Sequence, residues 1–336
     1  MILLNFAANR YDKITSLINR EIKIQDVELD YRQFPIAEIF FRQLKNGEFD
    51  LSDMSISFYL IARSSGNFPY IAIPVFPMRE FFHSRIVVNT DSGIRKPQDL
   101  EGKRVGLPEY AVTASLWTRA VLHHEFGVLP EKIEWFVERS AQDSLAAAAG
   151  WKNPAGVRIN EIPKEKSMLS MLNKGELDAA FIYRQEIRSR MERSTEDMFD
   201  GSKSLISRLF NDPKEETKRY YRKTGFYPIN HLVILRESLA RENPWLPLRL
   251  YEAFNRSKQL CLERNKNLAY ANNSFIWLDF LQDEIDDIFS DGDPFPYGLK
   301  RNRDILEAIT QYSFEQGLTS KRVQLEEMFH DSTLDT

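Results

Sequence analysis

The fold is decided by residues 69–119, which open on the apolar run Tyr70-Ile71-Ala72-Ile73 and pass into a loop punctuated by Pro74 and Pro77. Phe81-Phe82-His83-Ser84-Arg85 leads from that loop into a second apolar run, Ile86-Val87-Val88, and a turn-rich segment. A strand-like Lys103-Arg104-Val105-Gly106-Leu107 then empties into a polar mouth, Pro108-Glu109-Tyr110-Ala111-Val112-Thr113, ahead of a helical pattern. Strand ends that release loops bearing Arg, His, Glu, Tyr and Thr are how open α/β sheets build ligand sites. The stretch therefore reads as half of a ligand cleft.

Working outward, the same alternation of strand and helix continues in both directions. Before it come a first strand at Met1–Ala8, helical spacing over Tyr11–Asn19, an alternating strand over Val27–Phe34 and a helix over Ile36–Leu44. After it come a helix from Thr113 to Phe126, a strand over Ile133–Val137, a helix over Lys166–Asn173 and a strand over Leu177–Tyr183. Residues 189–212 are polar and read as a helix-poor crossing. A strand at His231–Leu235 and helices near 247–266, 270–289, 302–316 and 321–329 complete the chain. Strands alternating with helices predict a parallel-dominated sheet with right-handed crossovers.

One echo suggests two lobes. Leu44-Lys45-Asn46-Gly47-Glu48-Phe49-Asp50 recurs as Leu172-Asn173-Lys174-Gly175-Glu176-Leu177-Asp178. Each reads as a helix closed by a glycine and followed by a short strand with Asp at its start. With 336 residues the chain has room for two ordinary cores. We expect residues 1–85 and 186–336 to form one discontinuous lobe, and residues 86–185 the other.

Composition removes several classes of function. Lys and Arg number 45 against 49 Asp and Glu, a net charge of −4, which gives no support to nucleic-acid binding. A single cysteine, Cys261, rules out an intrachain disulfide and Cys-rich metal sites. The N-terminus lacks a basic leader, and no run is long and apolar enough to span a bilayer. If residue 1 is the natural start, the expected location is cytoplasmic, with no membrane or nucleic-acid partner. Dinucleotide, phosphate-loop, zinc-protease and serine-hydrolase motifs are absent.

The residues that could carry chemistry lie at strand ends. His83 and His231 each stand beside aromatic and proline residues and could face one cleft; a structural role is the alternative for each. Arg79, Arg85 and Arg184 could clamp carboxylates, or make surface ion pairs. The helix start at Thr113 offers N–H groups to an anion, unless Thr113 merely caps its helix. Tyr227 and Tyr297 lie in aromatic, proline-containing loops that could stack on a ligand or pack the lobe edges. His123 and His124, adjacent on a helix, are expected to point apart and to do no chemistry. A metal held by His83, His231 and Glu109 is conceivable, but no spacing demands it.

Taken together, Asp50-Leu51-Ser52-Asp53-Met54-Ser55, Ile73-Pro74-Val75-Phe76-Pro77-Met78-Arg79 with His83-Ser84, and Gly102-Lys103-Arg104-Val105-Gly106-Leu107-Pro108-Glu109-Tyr110 resemble the 4,5-dihydroxyphthalate decarboxylase family. So do Arg222-Lys223-Thr224-Gly225-Phe226-Tyr227-Pro228-Ile229-Asn230-His231 and Pro296-Tyr297-Gly298 with Asn302-Arg303. The likeness runs in order along nearly the whole chain. It departs at Tyr183-Arg184-Gln185-Glu186, where an Ala-Arg-Pro-Pro-like segment is expected, and around 144–153 and 189–205.

The resemblance implies a type 2 periplasmic-binding-protein-like α/β fold: two lobes joined by two crossing strands, with the cleft between them. It also implies loss of CO2 from a dihydroxylated aromatic dicarboxylate to give protocatechuate, with no cofactor expected and a divalent metal left open. On that reading His83 or His231 donates a proton and Glu109 orients it or contacts a ring hydroxyl. Arg79, Arg184, Ser55, Tyr110, Thr113, Tyr227 and Tyr297 would bind the substrate. The competing reading is a non-catalytic solute-binding protein or cytoplasmic sensor for a small carboxylate or aromatic ligand. A homo-oligomer is left open.

Overall fold

The computed structural model describes residues 1–140, 142, 144–182, 205–271, 275–289 and 292–336. Its strands form two sheets. The first holds β1 (Ile2–Ala7), β2 (Val27–Arg32), β3 (Leu51–Ser55), β4 (Tyr70–Ile73) and β11 (His231–Arg236) in the order β2-β1-β3-β11-β4. The second holds β5 (Ile86–Asn89), β6 (Arg104–Leu107), β7 (Glu134–Val137), β8 (Arg158–Glu161), β9 (Ala179–Phe181) and β10 (Ile206–Arg208) in the order β10-β5-β9-β6-β7-β8.

Parallel pairs come from strand–helix–strand units: β1 with β2 and β3, β6 with β7 and β9, and β7 with β8. Antiparallel pairs arise where the chain crosses between sheets and returns: β11 against β3 and β4, β5 against β9 and β10. The result is a mixed sheet in each lobe. One boundary differs from the sequence reading, which gave residues beyond 185 to the first lobe. Strand β10 pairs with Val87–Asn89 of β5 and so belongs to the second sheet. Residues 183–204, which hold Tyr183 and Arg184, lie outside the described residues.

The principal helices are α1 (Ile36–Asn46), α2 (Ile56–Ser64), α3 (Thr113–Phe126), α4 (Met168–Asn173), α5 (Pro213–Thr224), α6 (Leu246–Ala269), α7 (Leu278–Ile288) and α8 (Arg303–Glu315). Tyr11–Asn19, expected as a helix, makes only a 3-10 turn and one short α turn. The repeated corner is real. Asp50 accepts from the Asn5 N–H at 3.1 Å and returns its own N–H to the Asn5 carbonyl at 3.0 Å. Asp178 does the same with Arg104, at 2.9 Å in each direction. Gly47 closes α1 at φ +56°, whereas α4 is closed at Lys174 with Gly175 next at φ +69°.

Candidate functional site

The chain crosses from β4 to β5 through residues 74–85 and returns beside that path. Arg79 bridges Ile229, the Glu80 N–H donates to the Pro228 carbonyl at 3.1 Å, and the Asn230 N–H donates to the Met78 carbonyl at 2.9 Å. In an extended segment alternate side chains face opposite ways. Met78, Glu80 and Phe82 line a cavity of about 50 Å3, with Asn230 and His231 of the return path. Ile36, Phe40, Ser55 and Phe58 close it from the first lobe, and Val112, Thr113, Ala114, Arg139 and Leu145 from the second. Ordinary ligand pockets run from roughly 300 Å3 upward, so this space is small for a ligand as it stands.

His231 lines that cavity and is backed by Tyr11 and Asp53, to which the sequence reading gave no chemical role. Pairing of β3 with β11 sets His231 opposite Ser55 and Val233 opposite Asp53, so Asp53, Ser55 and His231 share one face. The Tyr11 hydroxyl donates to Asp53 Oδ2 at 2.5 Å and lies 2.9 Å from His231 Nδ1. Since the Tyr11 proton goes to Asp53, its oxygen accepts from Nδ1–H, and Asp53 Oδ1 sits 3.3 Å from the same nitrogen. Nε2 is then the acceptor, 3.1 Å from the Asn230 amide nitrogen. Phe40 meets the ring edge-on at 5.1 Å. Burial pushes the Tyr11 hydroxyl well above its ordinary range, and the charge of Asp53 adds to the effect, so the phenol stays a donor.

Across the cavity the lobes are stitched by hydroxyls. Ser55, the N-cap of α2, meets Thr113 with 2.7 Å between their Oγ atoms, and Thr113 also accepts from the Ser57 N–H at 3.1 Å. Thr113 is therefore the first residue of α3 and not its cap; Val112 occupies the cap position without a side-chain bond. The opening N–H groups of α3 have no intrahelical acceptor and lie at the cavity wall, where a helix start favours negative charge.

The other expected site residues go elsewhere. Glu109 is buried but fully engaged: Arg139 Nη1 donates to it at 2.9 Å, Ser144 Oγ at 2.7 Å and the Ala146 N–H at 2.8 Å. It holds Arg139, which does line the cavity, and does not reach His231. Tyr110 stacks on Trp151 at 5.8 Å under the Arg119 guanidinium, away from the cavity.

His83 is buried with Nε2 3.3 Å from Glu216, between Phe210 and Tyr220, so the two histidines do not face one cleft. Burial alone would raise the Glu216 carboxyl, but hydrogen bonds from Arg219 and His83 hold it below the usual range. Arg79, on the outer side of its segment, donates to the Tyr227 and Pro296 carbonyls at 3.0 and 2.8 Å and to Asn302. Burial draws its pKa down to about 10, still protonated at neutral pH. Arg85 pairs with Glu80.

Tyr227 stacks on Phe81 at 4.6 Å, and Tyr297 is buried under Lys258 Nζ at 4.9 Å. Arg184 lies outside the described residues. Of the ten residues expected from the sequence, the cavity thus gathers His231, Ser55 and Thr113. His123 and His124, expected to diverge, bring their rings within 4.5 Å of each other beside Glu315. Among the described residues that surface trio is the grouping able to hold a metal ion; the cavity side chains form none.

Two mixed α/β sheets joined by paired crossings, with a cavity lined from both lobes, define the two-lobed binding-protein fold, and solved structures of that fold agree. The periplasmic aliphatic sulphonate-binding protein SsuA of Escherichia coli superposes with a TM-score of 0.56 at 13% identity, over 100% of both chains. The desulfurization enzyme DSZB does so with a TM-score of 0.52 at 12% identity, over 100% of this chain and 98% of that one. Residues 7–200 match the family of phosphonate ABC-transporter periplasmic substrate-binding proteins.

Nearer relatives narrow the assignment. A 4,5-dihydroxyphthalate decarboxylase of Comamonas testosteroni is 31% identical over 99% of this chain and 98% of its own, and one of Pseudomonas putida is 31% identical over 66% and 83%. The chain belongs to the 4,5-dihydroxyphthalate decarboxylase family.

Proposed function

We propose that the protein is a carboxy-lyase that releases CO2 from a dihydroxylated aromatic dicarboxylate, with 4,5-dihydroxyphthalate as substrate and protocatechuate as product. The observation that carries the chemistry is the His231–Tyr11–Asp53 chain at the cavity wall; kinship over the full chain supplies the substrate class.

The substrate needs little activation. A hydroxyl para to the departing carboxylate pushes electrons into the ring, and a proton added at the carboxylate-bearing carbon turns CO2 into a leaving group. The C–C electron pair then returns to the ring and restores aromaticity. In the protonated form, with the Asn230 amide turned so that its oxygen and not its NH2 faces the ring, His231 delivers that proton from Nε2, while Nδ1–H stays on Tyr11 and the Asp53 charge stabilises the imidazolium. Arg139 and the first turn of α3 answer the carboxylate that remains. Apolar walls at Phe40, Phe58 and Phe82 keep water out and strengthen each polar contact. A diacid enters only if the lobes part, so opening and closing about the paired crossings frames each turnover.

The test is CO2 release from 4,5-dihydroxyphthalate by purified protein, with and without added divalent metal. Stoichiometric CO2 and protocatechuate support the reading. Tight binding without CO2 under both conditions sinks it and leaves a solute-binding or sensor role, which the same fold also serves.

A further inference from the structure

Adjacent positions on a helix point about 100° apart, yet His123 and His124, in the last turn of α3, bring their rings within 4.5 Å with 31° between the planes. Glu315, the last residue of α8, joins them. Its Oε2 lies 2.9 Å from His124 Nε2, and one ligand atom from each of the three residues lies within 4.8 Å of the other two. The group is held from behind: Gln311 Nε2 donates to Glu315 Oε1 at 2.8 Å, and the Tyr312 ring sits 4.6 Å from that of His124. Glu125, next in the chain, is taken by Arg219 and Lys223 at 3.0 and 3.1 Å and stays out of the group. The side chains of His124 and Glu315 are 37 and 31% exposed, so an ion from solvent can reach them.

We propose that His123, His124 and Glu315 form a binding site for a divalent cation of the zinc class, which ties α3 to α8. Ligand type, distance and field all select that ion. Two imidazoles with one carboxylate suit Zn2+, whereas Mg2+ and Ca2+ take oxygen ligands. Zn2+ bonds of about 2.0–2.1 Å set tetrahedral ligand atoms roughly 3.4 Å apart, a short adjustment for exposed side chains already within 4.8 Å. Both helices end here, and the C-terminal ends of their dipoles carry partial negative charge that favours a cation. Three protein ligands leave the fourth tetrahedral position to water. The site stands roughly 16 Å along α3 from Thr113 at the cavity wall, so the ion acts on structure and not on a ligand in the cavity. Helix α3 runs between β6 and β7 of the second sheet, while α8 packs on both α3 and α2. Along the same junction Arg119 Nε donates to Gln316 at 2.8 Å. A bound ion therefore adds a link between the lobes. The proposal stands whether or not the chemistry above is correct.

Isothermal titration of Zn2+ into the full, tag-free chain, stripped of metal by chelator and dialysed into a non-coordinating buffer, tests it. The expected result is one Zn2+ per chain, not displaced by a large excess of Mg2+. Co2+ in its place should show the visible absorption of a tetrahedral ion. His124→Ala and Glu315→Gln should each weaken Zn2+ binding ~10-fold or more, since even outer-shell changes at metal sites cost that much. His330→Ala, at a histidine elsewhere, should leave the affinity unchanged. Circular dichroism confirms that the variants stay folded, and saturating Zn2+ should raise the Tm of the wild type but not of His124→Ala. A wild type that binds no Zn2+ overturns the proposal. So does binding that both ligand variants keep at full strength, or that Mg2+ displaces.

Discussion

Asp53 and Tyr11 fix how His231 can act. With Nδ1–H committed to Tyr11 and the Tyr11 proton committed to Asp53, one tautomer of the imidazole is favoured and Nε2 is the nitrogen left to accept, beside the Asn230 amide. Asp53→Asn keeps the shape but removes the charge that balances an imidazolium. Decarboxylation should fall by about 10^2–10^4-fold in kcat, the usual span for a misdirected acid–base group, with KM nearly unchanged because Asp53 does not line the cavity. Steady-state CO2 release separates the two parameters; a variant that kept wild-type kcat would remove Asp53 from the mechanism. This trio was out of reach of local reading. Asp53 and Ser55 are visible at a strand end, but their placement beside His231 depends on pairing between β3 and β11, which are far apart in the chain. Arg79 fails for a related reason. Its segment alternates, and nothing local says that Met78 and Glu80 face inward while Arg79 faces out.

Elements were easier to read than side-chain directions. Helix α3 begins and ends where its sequence pattern predicts, from Thr113 to Phe126, and Gly127 at φ +72° closes it. Strand β10, three residues long inside a polar stretch, has too short a period to be seen. The repeated corner was legible because a glycine and an aspartate at fixed spacing each answer a local backbone need, and it yields a test.

Burial alone would raise the Asp178 carboxyl, but the side-chain and backbone hydrogen bonds of Arg104 outweigh it and hold the group below its ordinary value. A carboxyl lowered in the folded state adds stability above its unfolded pKa, near 4, and that stability is lost as pH falls through the folded value. Urea melts from pH 6 to pH 2 should therefore show an acid-side decline that is shallower in Asp178→Asn. Gly106, in β6, answers a packing need: a Cβ there would lie 2.8 Å from Leu177 Cδ1 and from Met168 Cγ. Gly106→Ala should lower unfolding free energy by about 1–3 kcal/mol, read from the urea midpoint.

At the scale of the molecule the cavity is lined from both lobes, and on the proposed function ligand binding and lobe closure are one equilibrium. A ligand at a hundred times its Kd should add about 2.7 kcal/mol to stability, a rise of several degrees in Tm. A thermal-shift series of aromatic and aliphatic dicarboxylates should rank the dihydroxylated aromatic ones first. Thr113→Val removes the hydroxyl that meets Ser55 and the Ser57 N–H, so the open form gains and the ligand-induced shift should shrink for every diacid alike. The two lobes could be inferred from the corner motif and the strand–helix alternation. How far they close could not, because it depends on contacts such as Ser55 with Thr113 that cross between them. Among the described residues no helix is long and apolar enough to cross a membrane.

The position of β11 carries a consequence for how the chain is made. This strand, at residues 231–236, lies between β3 and β4 and bonds to both. While a ribosome is still adding the residues before it, β3 and β4 have no strand between them and each shows an open edge, of the kind that recruits other chains. The second sheet, built from strands between residues 86 and 208, is fully synthesised by then. The inserted lobe can therefore gain protease resistance on the nascent chain first, while the lobe that begins at residue 1 waits for the late return strand.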